Sequence, residues 1–155
     1  MRVGIGFDVH SFKTGRRLVL GGVEIEYSKG LSGHSDADVL VHAMMDALLG
    51  AAGLRDIGVY FPDTDTRYKN ISSLLLLKEV KNIINDKGLE IINIDSTLIL
   101  EKPKVSPYIT AMLSKLSGAL ELDPGRLGIK ATTTEGLGFC GREEGIAAQS
   151  IALLE

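Results

Sequence analysis

The stretch that most restricts how this chain can fold is Gly33 to Asp46, GHSDADVLVHAMMD. It carries two of the three histidines and three carboxylates, and it reads as the start of a helix. Ser35 suits the N-cap, and Asp38 three residues later approximates a capping box. Asp36 and Asp38 in the first turn also suit the positive end of the helix dipole. Asp38, His42 and Asp46 then lie four residues apart on one face. Val39, Leu40, Ala43, Met44, Ala47 and Leu48 take the adjoining apolar stripe. An imidazole in such a seam needs a partner, so the fold has to bring one to it.

The third histidine lies in the first segment of the chain. Arg2 to Phe7 reads as a short apolar strand, with Gly4 and Gly6 leaving room for close backbone approach. It runs into Asp8-Val9-His10, where residues two apart point the same way, so carboxylate and imidazole face one side. Leu18 to Leu20 resumes a strand, and Gly21-Gly22 kinks into Val23 to Tyr27, expected as an edge strand. The first helix is expected over Asp36 to Ala52, with Gly53 in the C′ role, and a second over Ser72 to Lys87, stopped by Gly88. From Leu89 to Glu101, Ile92, Ile94, Leu98 and Leu100 alternate with Asn93, Asp95 and Thr97, the pattern of a long, central, half-buried strand. Pro103 and Pro107 mark a loop before a helix from Tyr108 to Glu121. Strands from Leu127 to Thr133 and from Ile146 to Leu154 close the chain, with a Gly-rich loop between them. This order predicts an α+β fold with helices packed on one face of a mixed four-to-five-stranded sheet, residues 1–155 forming a single domain.

Composition narrows the function. The formal net charge of -3 argues against broad nucleic-acid binding, which requires a basic face. Cys140 is the only cysteine, so no disulfide can form within the chain and a reducing compartment is expected. No apolar run reaches the roughly 18 residues of a membrane span. Arg2-Val3-Gly4-Ile5 begins at once as a strand, so no signal or transit peptide is expected and the protein is placed in the cytoplasm.

Three constellations can carry chemistry. Asp8, His10 and His42, with His34 nearby in sequence, make a ligand set suited to zinc with an open fourth position. The alternative is an ordinary strand-end pair, with His42 bonded to Asp38 or Asp46 inside its own helix; Asp46 could equally orient a metal-bound His42. Spacing leaves both open. Thr132, Thr133 and Thr134 before Glu135-Gly136 offer hydroxyls and amides for an anion, with a carboxylate able to hold Mg²⁺ against phosphate, or they form a polar strand end. Asp56-Ile57-Gly58 with Asp63 and Asp65 could accept sugar hydroxyls or simply build turns. Lys104, Lys130 and Arg142 are candidate phosphate partners, each more often a surface charge. Cys140 reads as a packing residue.

Together, GFDVH at 6–10, GHSDADVLVHA at 33–43, DIGVYFPDTD at 56–65 and KATTTEGLGFCGREEGIA at 130–147 resemble the 2-C-methyl-D-erythritol 2,4-cyclodiphosphate synthase family of the non-mevalonate isoprenoid pathway. The resemblance spans nearly the whole chain, least strongly in its second and third helices. It implies a phosphorus–oxygen lyase that converts 4-diphosphocytidyl-2-C-methyl-D-erythritol 2-phosphate to the cyclic diphosphate and CMP. It further implies Zn²⁺ (or another divalent cation) on Asp8, His10 and His42, and Mg²⁺ or Mn²⁺ on Glu135 with the substrate phosphates. His34 and Thr133 match the pair that supports the transition state, and Ser35 a substrate contact. Asp56, Ile57 and Gly58 match the part holding the methylerythritol or ribose moiety. Phe61, Pro62, Asp63, Thr64 and Asp65 match a mobile loop over the substrate. Leu100, Pro103, Lys104, Ser106, Ala131, Thr132 and Thr134 match the cytosine and phosphate pocket. The family resembled is a homotrimer with sites between subunits, and Phe139, Arg142 and Glu144 match positions near its axis, the first two also counted as substrate contacts. Two rivals use the same residues: a zinc phosphohydrolase, giving a linear product, and a non-catalytic isoprenoid-diphosphate binding protein.

Overall fold

Two glycines at alternate positions of the first strand decide how close the main helix comes to the sheet. The computed structural model describes residues Met1–Glu155. Strand β1 spans Arg2–Thr14, continuing without a break through Asp8 and His10. Its even positions Gly4 and Gly6 lie against helix α1 (Val39–Ala51). A Cβ at Gly6 would stand 2.0 Å from the Ala43 carbonyl oxygen, and one at Gly4 2.1 Å from that of Ala47. Any larger residue would lift the helix away, so backbone rests on backbone. Two residues further along the same face come Asp8 and His10, under the N-terminal end of α1. The odd positions Val3, Ile5, Phe7 and Val9 form the opposite face and are exposed.

Helix α1 is buried almost all round, including Val41, Met45 and Leu49 outside the expected stripe. A helix apolar on every side belongs inside a protein, and each large side chain so buried contributes about 1.5–3 kcal/mol. It starts three residues later than expected. Ala37 takes a left-handed φ of 58°, which no helical turn accommodates. Ser35 is therefore not the N-cap: Asp38 is, its carboxylate accepting from Val41 N–H at 3.2 Å. Gly53, at φ 71°, ends the helix as expected, with Gly53 N–H on Gly50 and Leu54 N–H on Leu49.

Strands β2 (Leu18–Leu20) and β3 (Val23–Ile25) pair only with each other, so β3 is not an edge of the main sheet. That sheet has five strands in the order β4 (Lys29–Leu31), β1, β7 (Gly145–Leu154), β5 (Ile91–Ile99) and β6 (Leu127–Thr132). Only β5 and β6 run parallel. The centre is β7, antiparallel to β1 and to β5, while β5 lies one place nearer the edge. An irregularity between Ile91 and Asn93 turns Ile91 inward and leaves Ile92 half-buried, reversing the alternation expected there. Helices α3 (Ser73–Asp86) and α4 (Ile109–Leu120) complete the core over α1 and β6. Two short helical turns, α2 (Ile57–Tyr60) and α5 (Gly138–Gly141), sit in the loops. Because Ile99 pairs with Thr132, the Leu100–Ser106 and Thr132–Gly136 loops leave the sheet side by side, at the end where His10 pairs with Ile146.

Candidate active site

The strand period and the close packing of α1 bring three donor atoms together. His10 Nε2 lies 2.9 Å from Asp8 Oδ2 and 3.1 Å from His42 Nδ1, and His42 Nδ1 lies 3.0 Å from the same carboxylate oxygen. His10 Nδ1 is 2.6 Å from the Ser32 carbonyl oxygen, to which it can only donate, so the neutral ring that binds a metal turns its Nε2 lone pair inward. A tetrahedral zinc ion with bonds of about 2.0–2.1 Å holds its donors ~3.3 Å apart, so this triangle accepts one after opening by a few tenths of an ångström. The donor set fits. Burial opposes ionisation of Asp8, yet hydrogen bonds to both imidazoles and their charge hold it well below the usual carboxylate range. Burial also opposes the charged form of His10, and the Asp8 carboxylate outweighs it and raises the imidazole's pKa.

Of the two alternatives left open for His42, the bond to Asp38 or Asp46 inside its own helix is not formed. Asp38 is fully buried, with Gly21, Gly22 and Val41 N–H groups on its carboxylate, and burial pushes it up to about 6 against those bonds. Asp46 accepts from Ile57 N–H at 2.8 Å and so anchors α2 instead. His42 Nε2 faces two hydroxyls, Ser73 Oγ at 3.1 Å and Ser35 Oγ at 3.2 Å. Ser73 Oγ in turn donates to Asp36 Oδ1 at 2.5 Å.

The triad opens into a cavity of about 420 Å³ whose wall includes His34, Ser35, Ile57, Gly58, Phe61 and Asp63. His34 Nε2 is 3.1 Å from the Asp65 carbonyl oxygen, tying it to the Phe61–Asp65 loop. The Asp65 carboxylate is occupied with Arg67 at 2.7 Å, and Asp56, Pro62 and Thr64 are not in the wall. Tyr68, which packs edge-on against Phe61 at 5.5 Å between ring centres, is a wall residue that no motif signalled.

A second hollow of about 180 Å³ lies between the two side-by-side loops, lined by Leu100, Pro103, Lys104, Ser106, Ala131, Thr132 and Thr133 among others. Glu101 holds it together, accepting from Thr134 N–H at 3.0 Å and from Gly136 N–H at 3.2 Å, which keep its carboxyl below the usual range. Between those anchors Glu135 takes a left-handed φ of 54° and accepts from Thr133 Oγ1 at 2.9 Å. Lys130 does not face this hollow; it pairs with Asp95. Arg142 pairs with Glu144 at 2.9 Å. Phe139 and Thr134 line a third hollow, with Phe7 and Leu137. Cys140 is buried, and burial raises its thiol, in keeping with a packing role.

The YgbB family model matches residues 1–155. The chain belongs to the YgbB family. It is 65% identical over 154 residues to the 2-C-methyl-D-erythritol 2,4-cyclodiphosphate synthase of Clostridium acetobutylicum, covering 99% of each chain. Among solved structures, the bifunctional IspDF of Campylobacter jejuni superposes with a TM-score of 0.95 at 48% identity over 99% of this chain, which spans only 42% of that longer chain. A Plasmodium falciparum IspF, solved as a CDP complex, superposes with a TM-score of 0.87 at 32% identity over 99% of this chain and 94% of that one.

Within this YgbB-family chain the fold unites Asp8, His10, His42, His34, Ser35, Gly58 and Asp63 around one cavity. It does not unite His34 with Thr133, which line separate hollows. Ser73 and Asp36 escaped sequence reasoning as site residues, and Glu101, inside the Leu100–Ser106 stretch, was given no role of its own. Each acts through a partner at least 31 positions away (His42, Ser73 and Thr134 respectively), so no local pattern marks it.

Proposed function

We propose that the chain converts 4-diphosphocytidyl-2-C-methyl-D-erythritol 2-phosphate to 2-C-methyl-D-erythritol 2,4-cyclodiphosphate and CMP. The observation that carries this reading is the triangle of Asp8 Oδ2, His10 Nε2 and His42 Nδ1 in the wall of the large cavity. An oxygen of the 2-phosphate forms a bond to the β-phosphorus, and the bond from that phosphorus to the CMP oxygen breaks, its electron pair leaving with CMP. The nucleophile belongs to the substrate and is already ionised, so the protein needs no serine or cysteine nucleophile; it must align the groups and offset their charge. Zn²⁺ on Asp8, His10 and His42, and Mg²⁺ or Mn²⁺ on Glu135, would supply Lewis acidity and a template for the phosphates.

The chain's own residues do the rest. The Asp56-Ile57-Gly58 turn and the Phe61–Asp65 loop shape the cavity and exclude water from the attack. His34, tethered to the Asp65 carbonyl through its Nε2–H, supports the developing phosphate charge from the cavity wall. Lys104, with the Thr132–Thr134 hydroxyls and amides, receives the cytidine diphosphate end. The active assembly is a homotrimer in which one chain's zinc cavity faces its neighbour's Leu100–Ser106 and Thr132–Gly136 loops. The exposed apolar row Val3, Ile5, Phe7 and Val9 supports this, as does the separation of His34 from Thr133 within one chain. Residues 1–155 act as one domain around a single core, in the cytoplasm, where the lone Cys140 stays reduced. Phosphorus NMR of the reaction tests the reading: a cyclic diphosphate with equimolar CMP is expected, whereas a linear product would make the chain a hydrolase.

A further inference from the structure

The two imidazoles of the triad are held in different ways. His10 Nδ1 meets a backbone carbonyl, an acceptor that leaves no choice of tautomer. His42 Nε2 meets only hydroxyls, and a hydroxyl can accept or donate. The choice is made one bond further out. Ser73 Oγ lies 2.5 Å from Asp36 Oδ1, and an ionised carboxylate only accepts, so the hydroxyl hydrogen points at Asp36 and its lone pair is left for His42 Nε2–H. Asp36 cannot easily turn away, because Ser73 N–H donates to its Oδ2 at 2.9 Å and Asp38 N–H to its Oδ1 at 3.2 Å. Ser73 is fully buried, at the first position of α3, so no water competes for the arrangement.

We propose that Ser73, oriented by Asp36, is a positioning residue that keeps the hydrogen of His42 on Nε2 and its Nδ1 lone pair on the metal side. The role rests on the zinc assignment above. It links the metal to the junction between α1 and α3, because Asp36 precedes one helix and caps the backbone of the other. Groups that orient a metal-binding imidazole typically change metal affinity by roughly 10–100-fold when removed.

The test uses the full chain. Zinc affinity is measured by competition with a chromophoric chelator for the wild type and for Ser73→Ala, Ser73→Thr and Asp36→Asn. Ser73→Ala is expected to weaken zinc by roughly 10–100-fold, Asp36→Asn to weaken it less, and Ser73→Thr, which keeps the hydroxyl, to restore it. In zinc-loaded protein with ¹⁵N-labelled histidine, the His42 Nε2–H proton should exchange slowly in the wild type and in Ser73→Thr. It should move upfield and exchange faster in Ser73→Ala or, should that variant not fold, in Asp36→Asn. Wild-type affinity in folded Ser73→Ala, or a Nε2–H signal indifferent to both substitutions, would overturn the role and leave the zinc assignment standing. A wild-type chain that takes up no zinc would overturn both.

Discussion

The two hollows at one end of the sheet are built to different standards. The cavity of Asp8, His10 and His42 has donors from β1 and α1, braced by buried groups from α3 and the Ser32–Asp36 segment. The hollow between Leu100–Ser106 and Ala131–Thr133 consists of two loops joined by one part-exposed carboxylate, Glu101. Buried hydrogen bonds are strong and costly to break, whereas exposed ones compete with water. The bonds of the first hollow are thus sheltered within one chain, and those of the second stand open to whatever packs against them.

The largest effect should come from the sheltered hollow. His42→Ala is expected to lose zinc and to lower turnover by about a thousandfold or more, the equivalent of several kcal/mol of lost charge stabilisation. Metal analysis and CMP release check it, and unchanged zinc content would break the ligand assignment. Phe7→Glu probes the other hollow from the opposite sheet face. In the proposed homotrimer a neighbour covers Phe7, and an unpaired charge buried there costs about 2–5 kcal/mol, so that assembly should dissociate and lose turnover while zinc stays bound. A sedimentation profile identical to the wild type would overturn the trimer.

Gly6→Ala tests the contact that brings the halves of the triad together. Its methyl would meet the Ala43 carbonyl oxygen at 2.0 Å, so denaturant unfolding should show a loss near the upper end of about 1–3 kcal/mol. Glu101→Ala should raise the Mg²⁺ concentration for half-maximal turnover by about tenfold, as expected for loss of a group that orients a metal-binding side chain. Glu135→Gln should raise it further. The sign of the pH response follows from the lowered carboxyl of Glu101: its support is present above the ordinary carboxylate value and is lost as pH falls through the folded one. A Mg²⁺ titration repeated at decreasing pH should therefore weaken only on the acid side. Smallest of all, Lys130→Ala breaks an exposed pair with Asp95 and should change stability by less than about 1 kcal/mol; a large loss of turnover would return Lys130 to the phosphate site.

Much of this was legible one segment at a time. Periodicity placed α3 within one residue at each end, since Leu76, Leu77, Val80 and Ile84 keep the helical spacing of a buried stripe. Gly53 and Gly88 ended their helices where expected, because left-handed caps are a local requirement. The start of α1 departs from its local pattern, with Asp38 and not Ser35 as the N-cap. Ser35 and Asp36 have the chemistry of a helix cap, but the structure turns Ser35 to His42, beyond the cap, and Asp36 to Ser73, 37 positions away. Within Leu89–Glu101 the alternation failed at Ile91 and Ile92, where an irregularity set by pairing with β7 reverses the faces.

By itself, the sequence determined which groups could do the chemistry and which of them share a side. A strand's period of two puts Asp8 with His10, and a helix's period puts His42 beside its apolar neighbours, wherever those elements go. Only the tertiary structure decided that the two meet. That meeting depends on Gly4 and Gly6 letting the backbone of α1 rest on β1, a contact between segments some 40 residues apart. It also decided that His34 and Thr133 stand apart in one chain. Local periods act over a turn or a pleat; the distance between elements is settled by close packing across the whole core.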